Sequence, residues 1–281
     1  MIVVTGATGT IGRSLVPLLA ASGEQVTAVS RNAPAAALPE GVVHRRADLA
    51  DAESLRPVAE GAEALFLLLA GELNVAGESP ATLLDVLKSS GVRRVVLLSS
   101  QAAGTRPEAV SHDRLRAFEA ALRESGLEWT VLRPAGFATN AFAWAGSVSS
   151  GRTVAAPFPD VAMPVVDPAD IAAVAAVVLR SHGHSGRTYE LTGPAAVSPR
   201  RQAAAIAAAL GEPVHFAELT REQAREAMLQ FMPEPVVEGT LDLLGTPLPS
   251  EQRVSPAVER LLGRPAASFE DWAARNIAAF R

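Results

Sequence analysis

The octapeptide Thr5-Gly6-Ala7-Thr8-Gly9-Thr10-Ile11-Gly12 follows directly on the apolar run Ile2-Val3-Val4 and leads into an alanine- and leucine-rich stretch ending at Ala21. Strand, glycine loop and helix in that order form the opening βα unit of a dinucleotide-binding fold. The three glycines have separate tasks there: a tight turn, close approach of backbone to a pyrophosphate, and close packing of helix on strand. A helix opening near Thr10 would present free N–H groups and the positive end of its dipole to the phosphates. Gly6, Thr8, Gly9, Thr10, Ile11 and Gly12 are therefore the expected phosphate-side contacts.

The rest of the chain keeps the same rhythm for about two thirds of its length. Strands are predicted at Met1–Thr5, Gln25–Ser30, Val42–Arg46, Ala64–Leu69, Arg94–Ser99, Trp129–Arg133 and Arg187–Leu191. Helices are predicted at Thr10–Ala21, Asp51–Glu60, Pro80–Ser89, Arg114–Glu124 and Ala169–Ser181. Several strands are apolar on both faces, as in a sheet covered by helices on each side, so the expected class is α/β with a doubly wound parallel sheet. Glycines and prolines from Gly136 to Pro164 interrupt the alternation, and beyond Pro194 the pattern is helical apart from a short strand at Pro213–Glu218. The expected division is a nucleotide-binding domain of residues 1–135 and 164–193 and a smaller, mostly helical substrate lobe of 136–163 and 194–281.

Composition narrows the function. A net charge of −5 without a basic run argues against nucleic acid as a partner. Zero cysteines exclude disulfides, iron–sulfur clusters and thiolate zinc sites. His182 and His184 lie in a glycine turn with no carboxylate nearby in sequence, so no metal site is expected. The longest apolar runs, Ala62–Ala70 and Ile171–Leu179, are too short to span a bilayer. Met1 runs straight into the first strand, which leaves no room ahead of the loop for a signal or transit peptide, and the expectation is a cytoplasmic protein without a membrane partner. Monomer and homo-oligomer are both compatible with the sequence.

The end of the second strand selects the cofactor. NAD sites usually place an acid about 20 residues beyond the loop to bind the ribose 2′-hydroxyl. Here the residues are Ser30-Arg31-Asn32, with no acid. A guanidinium grips a 2′-phosphate with charge-assisted hydrogen bonds where a carboxylate would repel it, so NADPH/NADP is expected, with Arg31 and Asn32 as its contacts. Asp48, after the third strand, is placed either to meet the adenine amino group or to cap the following helix.

Several of these segments together resemble one family. The Thr5–Gly12 loop, Val29-Ser30-Arg31-Asn32, Ala47-Asp48-Leu49, the run from Ser125 to Pro134, Val166–Ala172, Tyr189–Pro194 and Phe269–Ala273 are similar to the NmrA-like atypical short-chain dehydrogenase/reductases, in order along nearly the whole chain. The resemblance implies that the nicotinamide lies near Leu69-Ala70-Gly71, Ser99-Ser100-Gln101 and the Pro134–Phe137 segment. It implies one of several activities: quinone reduction, ketone reduction in aromatic polyketide pathways, relatives of isoflavone reductase, or NADP sensing without turnover.

Tyrosine-dependent members of the wider superfamily use a Tyr and a Lys four residues later, on the helix after the fifth strand, to protonate the alkoxide that hydride transfer makes. That helix here reads Ser111–Glu119 without either residue, and the sole tyrosine is Tyr189, read as a core residue of a late strand. NmrA-like reductases often carry Lys or His four residues before the position of Glu119, where this chain has Leu115. The catalytic candidates left are Ser99 and Ser100, as hydrogen-bond partners of the substrate oxygen or as strand-end caps, and His112, as a proton donor or an ordinary surface histidine. Gln101 and Asn140 are further polar candidates on the substrate side.

Phe137, Phe142, Trp144, Phe158 and Met163 fall in the segment expected to overhang the nicotinamide, and Met228, Phe231 and Met232 are placed as a lid. Such surfaces suit flat apolar ligands, although they also suit the small lobe's own core. With Phe137, Trp144 and Phe231 lining a pocket, the expected partner is a small apolar aromatic molecule. The sequence thus predicts an NADPH-dependent reductase of a quinone or phenol-flanked aromatic ketone, working without a Tyr–Lys pair. The alternative is an NADP(H)-sensing regulatory protein without turnover.

Overall fold

The structure is a computed structural model that describes residues 1–34, 37–69 and 77–281. In chain order the first elements are β1 (Ile2–Thr5), α1 (Gly12–Ala21), β2 (Val26–Ser30), β3 (Val42–Arg46), α2 (Arg56–Ala59) and β4 (Ala64–Leu68). Next come α3 (Pro80–Ser89), β5 (Arg94–Leu98), α4 (Gln101–Thr105), α5 (Asp113–Glu124), β6 (Glu128–Pro134), α6 (Ala145–Gly151) and β7 (Thr153–Ala156). The chain continues through α7 (Pro168–Arg180), β8 (Arg187–Leu191), α8 (Pro199–Leu210), β9 (His215–Glu218), α9 (Arg221–Met228) and α10 (Glu234–Gly245). It ends with α11 (Pro249–Gln252), α12 (Ala257–Leu262) and α13 (Phe269–Asn276).

Seven strands form the main sheet in the order β3-β2-β1-β4-β5-β6-β8. Every pair from β3 to β6 is parallel, with Ile2 opposite both Val26 and Ala64. The expected Rossmann-type α/β fold is the one observed. The strand order reverses between β1 and β4, which is where open α/β sheets bind nucleotides. Among the described residues, no helix is long and apolar enough to cross a membrane.

The described residues divide into two compact units. The first comprises Met1–Pro107, His112–Pro134 and Pro168–Glu190. A core lies on one face of the sheet, where Val3, Leu65, Leu67, Val95 and Leu97 meet Leu83, Leu87 and Phe118 from α3 and α5. On the chain's other covering pair, α1 packs against α7. α3 is fixed at its start by Ser79, whose side chain accepts from the Thr82 N–H ahead of Pro80, a residue that needs no donor in a first turn.

The second unit comprises Glu108–Ser111, Ala135–Asp167 and Leu191–Arg281. Trp272 and Phe280 are buried in it among Val148, Val154 and Ile206. Its α13 opens with a capping box between Ser268 and Asp271.

Three local expectations need correction. The first helix begins at Gly12 rather than Thr10, because Gly9 N–H is spent on Gly6 carbonyl in closing the loop. The helix expected over Asp51–Glu60 is a 3-10 turn, Ala52–Leu55, followed by the short α2, because Pro57 has no N–H and fits only a first turn. β7 was not anticipated: four residues between glycine- and proline-rich turns pair in parallel with β9, from Thr153 opposite His215 to Ala156 opposite Glu218.

Candidate functional site

The glycine loop is built from β1 outward. Thr5, fully buried, donates its hydroxyl to Phe66 carbonyl and accepts from Leu68 N–H, both at 2.9 Å, which ties the end of β1 to β4. Gly6 turns the chain at φ +63°, a conformation open to glycine and costly for other residues. A side chain on Gly12 would overlap Gly6 carbonyl and Ala7 backbone, so the loop sits flat against the first turn of α1. No side chain caps α1.

This loop forms one wall of a cavity of about 280 Å³. Gly6, Thr8 and Gly9 meet Arg31 and Asn32 from the end of β2 and Asp48 from the segment after β3 around that space. Six of the expected cofactor contacts are thereby brought together. Ile11 and Gly12 lie beneath the loop as buried packing, and Thr10 is exposed beside it. Asp48 Oδ1 accepts from Ala50 N–H at 3.0 Å. It is therefore a local turn residue that also borders the cavity, and the 3-10 turn that follows has no side-chain cap.

Ser30 and His44, neither of them given a role in the sequence, shape the β2 end. Ser30 Oγ donates to Asn32 carbonyl at 2.6 Å and also contacts His44 Nε2 at 2.9 Å. Arg31 and Asn32 are exposed, with their turn closed by the Ser30 bond.

At the end of β5 lies a second constellation. Ser99 N–H continues the ladder to Leu132 carbonyl, and Ser99 Oγ donates to Glu119 Oε1 at 2.6 Å. Glu119 is 2% exposed and also receives Arg133 Nε at 2.9 Å, Arg133 Nη2 at 2.5 Å and Arg123 Nη2 at 2.7 Å. Gly104 on α4 carries no side chain because Arg133 lies across it. Burial pushes the Glu119 carboxyl up, but the hydrogen bonds from Arg133, Ser99 and Arg123 outweigh it and hold the group below the usual carboxylate range. In turn, hydrogen bonding to Glu119 raises Arg133 above its ordinary value. Glu119 was passed over in the sequence because one carboxylate in an amphipathic helix resembles any solvated surface residue.

Ser100 differs from its neighbour. Its Oγ accepts from Ala102 N–H at 3.2 Å at the head of α4, and among the described residues none accepts its proton. Gln101 is buried at the start of α4. His112 stands immediately before α5, and Leu115 packs on the core of the first unit. Leu69 is buried in that core and Pro134 closes β6, while Ala70 and Gly71 lie outside the described residues.

Tyr189 is a half-buried residue of the edge strand β8 rather than a core residue, and its hydroxyl lies 2.9 Å from His184 Nδ1. Ser181 Oγ spends its proton on Val177 carbonyl, so His184 Nε2 is the donor to Ser181 and its Nδ1 takes the Tyr189 proton. Burial, and then the charge of Arg94, lower the His184 pKa and favour this neutral form. His182 Nδ1 is met by Arg94 at 3.2 Å.

The aromatic residues of the second unit do not form one face. Phe142 stacks on Phe280 and leans on Trp272, and Trp144 packs against the same cluster. Phe158, Met228 and Met232 belong to a separate cluster around Val237 and Leu241, where the Phe158 ring rests on Gly245. Met163 is buried and bridges to Val197. Phe137 bridges to Val166 and is half-buried, Asn140 is exposed in the turn after it, and Phe231 is 74% exposed. The division follows from sequence distance: each segment packs where its own helices place it.

A family model described as NAD(P)H-binding matches residues 6–182. The chain is 35% identical to a (4-alkanoyl-5-oxo-2,5-dihydrofuran-3-yl)methyl phosphate reductase of Streptomyces griseus subsp. griseus, covering 100% of this chain and 99% of that protein. It is 32% identical to an NAD(P)H azoreductase of Xenophilus azovorans, with coverage of 100% and 99%. Its fold is similar to that of the NADPH-dependent quinone oxidoreductase 2 of Escherichia coli, solved with NADPH, at a TM-score of 0.81 and 25% identity over 98% of this chain and 99% of that one.

Proposed function

The chain belongs to the NAD(P)H-binding family, as an NmrA-like atypical short-chain dehydrogenase/reductase and an NADP(H)-dependent oxidoreductase, and on that premise we propose that it reduces a quinone or phenol-flanked aromatic ketone. The observation that carries the reading is the cavity where the glycine loop faces an acid-free, arginine-bearing strand end.

The chain's residues fit the dinucleotide. Gly6, Thr8 and Gly9 hold the pyrophosphate, Arg31 and Asn32 the 2′-phosphate, and Asp48 borders the adenosine end. Leu69, Ser99 and Pro134 would lie toward the nicotinamide. NADPH supplies the hydride, and a proton from solvent completes a hydroquinone.

The absence of a Tyr–Lys pair from α5 supports this substrate class. An isolated alkoxide is about as basic as hydroxide, whose parent water has a pKa of about 15.7, and it needs a strong positioned acid. A phenolate resembles tyrosine, at about 10, and needs none. Tyr189 directs its hydroxyl hydrogen at His184, and Leu115 has no proton to give, so neither supplies that acid. Ser100 keeps a hydroxyl proton to steady the oxygen that gains charge, whereas the Ser99 proton is committed to Glu119. His112 remains the alternative donor, beside α5. Quinones, azo compounds and alkanoyl-dihydrofuranones share a conjugated acceptor whose reduced form spreads its charge, which supports the same class.

NADPH consumption against a panel of quinones, polycyclic aromatic ketones and simple aliphatic ketones tests the reading. Turnover confined to conjugated acceptors is expected. Efficient reduction of aliphatic ketones would overturn it.

A further inference from the structure

We propose that His44 determines specificity for the 2′-phosphate of NADP(H) as a positioning residue acting through Ser30. The inference rests on the reading that the Ser30–Asn32 turn meets that phosphate.

A serine hydroxyl has one hydrogen. Asn32 carbonyl can only accept, so at 2.6 Å the Ser30 hydrogen is on that bond. The contact between Ser30 Oγ and His44 Nε2, at 2.9 Å, then has a single remaining donor, the imidazole N–H. A directed chain results, from His44 to Ser30 to Asn32 carbonyl, and it fixes the tautomer of His44 with its proton on Nε2.

Strand geometry makes the chain possible. β2 and β3 run parallel, with Ala28 opposite His44 and Ser30 opposite Arg46, so Ser30 and His44 lie on the same face one step apart. His44 is half-buried in β3 while Arg31 and Asn32 are exposed. The ordered strand thus reaches out through one imidazole and one hydroxyl to hold a surface turn.

That turn has Arg31 at its centre. Immobilising an arginine costs side-chain and backbone entropy, and a backbone already closed by the Ser30 bond has less left to lose. The His44 proton keeps Ser30 Oγ facing Asn32 carbonyl rather than solvent. Nucleotides without a 2′-phosphate make no use of Arg31 and gain nothing from the arrangement.

Calorimetric binding of 2′,5′-ADP and 5′-AMP tests this without turnover. The panel is the native protein, His44→Phe, His44→Gln, Ser30→Ala and Arg31→Ala. His44→Phe keeps a flat ring and loses the donor; it should weaken 2′,5′-ADP by roughly three- to tenfold, the scale of one hydrogen bond, and leave 5′-AMP unchanged. His44→Gln supplies an amide donor and should recover most of the loss, and Ser30→Ala should match His44→Phe. Equal loss for both nucleotides in His44→Phe, no loss, or no recovery in a folded His44→Gln would each overturn the proposal. Arg31→Ala separates the two levels. If it binds 2′,5′-ADP like the native protein, the phosphate reading itself fails. If it loses affinity while His44→Phe does not, only the role of His44 fails.

Discussion

Ser99 spends its only hydroxyl proton on the buried carboxylate of Glu119, across 2.6 Å, while the adjacent Ser100 keeps its own. Two neighbouring serines at one strand end thus have opposite capacities: Ser99 can only accept from a ligand, and Ser100 can donate. Ser100→Ala should therefore lower kcat/KM by roughly tenfold, the worth of one hydrogen bond to a developing charge. Ser99→Ala should lower it much less, and steady-state kinetics of the two variants decides the assignment.

Glu119 should make stability sensitive to acid. Its folded pKa is below the unfolded one, so its contribution is complete above the unfolded value and is lost as pH falls through the folded one. The melting temperature of the native protein should fall progressively below about pH 4.3, and Glu119→Gln should flatten that part of the profile. Glu119→Ala leaves Arg133 without this partner and should cost about 3–5 kcal/mol by denaturant unfolding.

Arg31→Ala should cost roughly 1.5–3 kcal/mol of NADPH affinity and little of NADH affinity, measured by calorimetry. Equal affinity of the native protein for both cofactors would contradict the role of the β2 end.

The loop glycines should fail in different ways. An added carbon on Gly9 would stand 3.2 Å from Gly6 carbonyl, tight but at the surface, so Gly9→Val should abolish nucleotide binding in a folded protein. At Gly12 the same addition overlaps backbone, and Gly12→Val should lower the melting temperature as well. Circular dichroism melts and nucleotide titration distinguish them.

Tyr189→Phe should leave turnover unchanged while costing about 1 kcal/mol of stability, because its hydroxyl serves His184. His112→Ala should matter little if solvent or the substrate's own phenol supplies the proton, and lower the rate by about 10²-fold if His112 is the acid. A large loss in a folded Tyr189→Phe would move the active site to β8.

The sheet and the glycine loop were legible because their signals are local: a run of branched residues, a turn that needs glycine, a helix of the right length. β7 was not, since four residues with no pattern of their own become a strand only when β9 arrives from 59 positions later, Ala156 to His215. Glu119 was hidden for the same reason. Its burial depends on Arg133 from another element and on the bare backbone of Gly104. The aromatic residues from Phe137 to Met163 were visible as apolar but not as divided, because sequence shows hydrophobicity and not which cluster receives it.

The backbone overlap that waits beneath Gly12 and the exposed turn around Arg31 set unequal limits on change. Substitutions in the loop disturb the backbone against which the first helix is packed, whereas Arg31 and Asn32 are exposed at the rim, in a turn held by Ser30 and His44. A lineage, or an engineer, could therefore exchange preference for the phosphorylated or the plain coenzyme by grafting a short surface segment. The machinery that grips what both coenzymes have in common would be inherited intact.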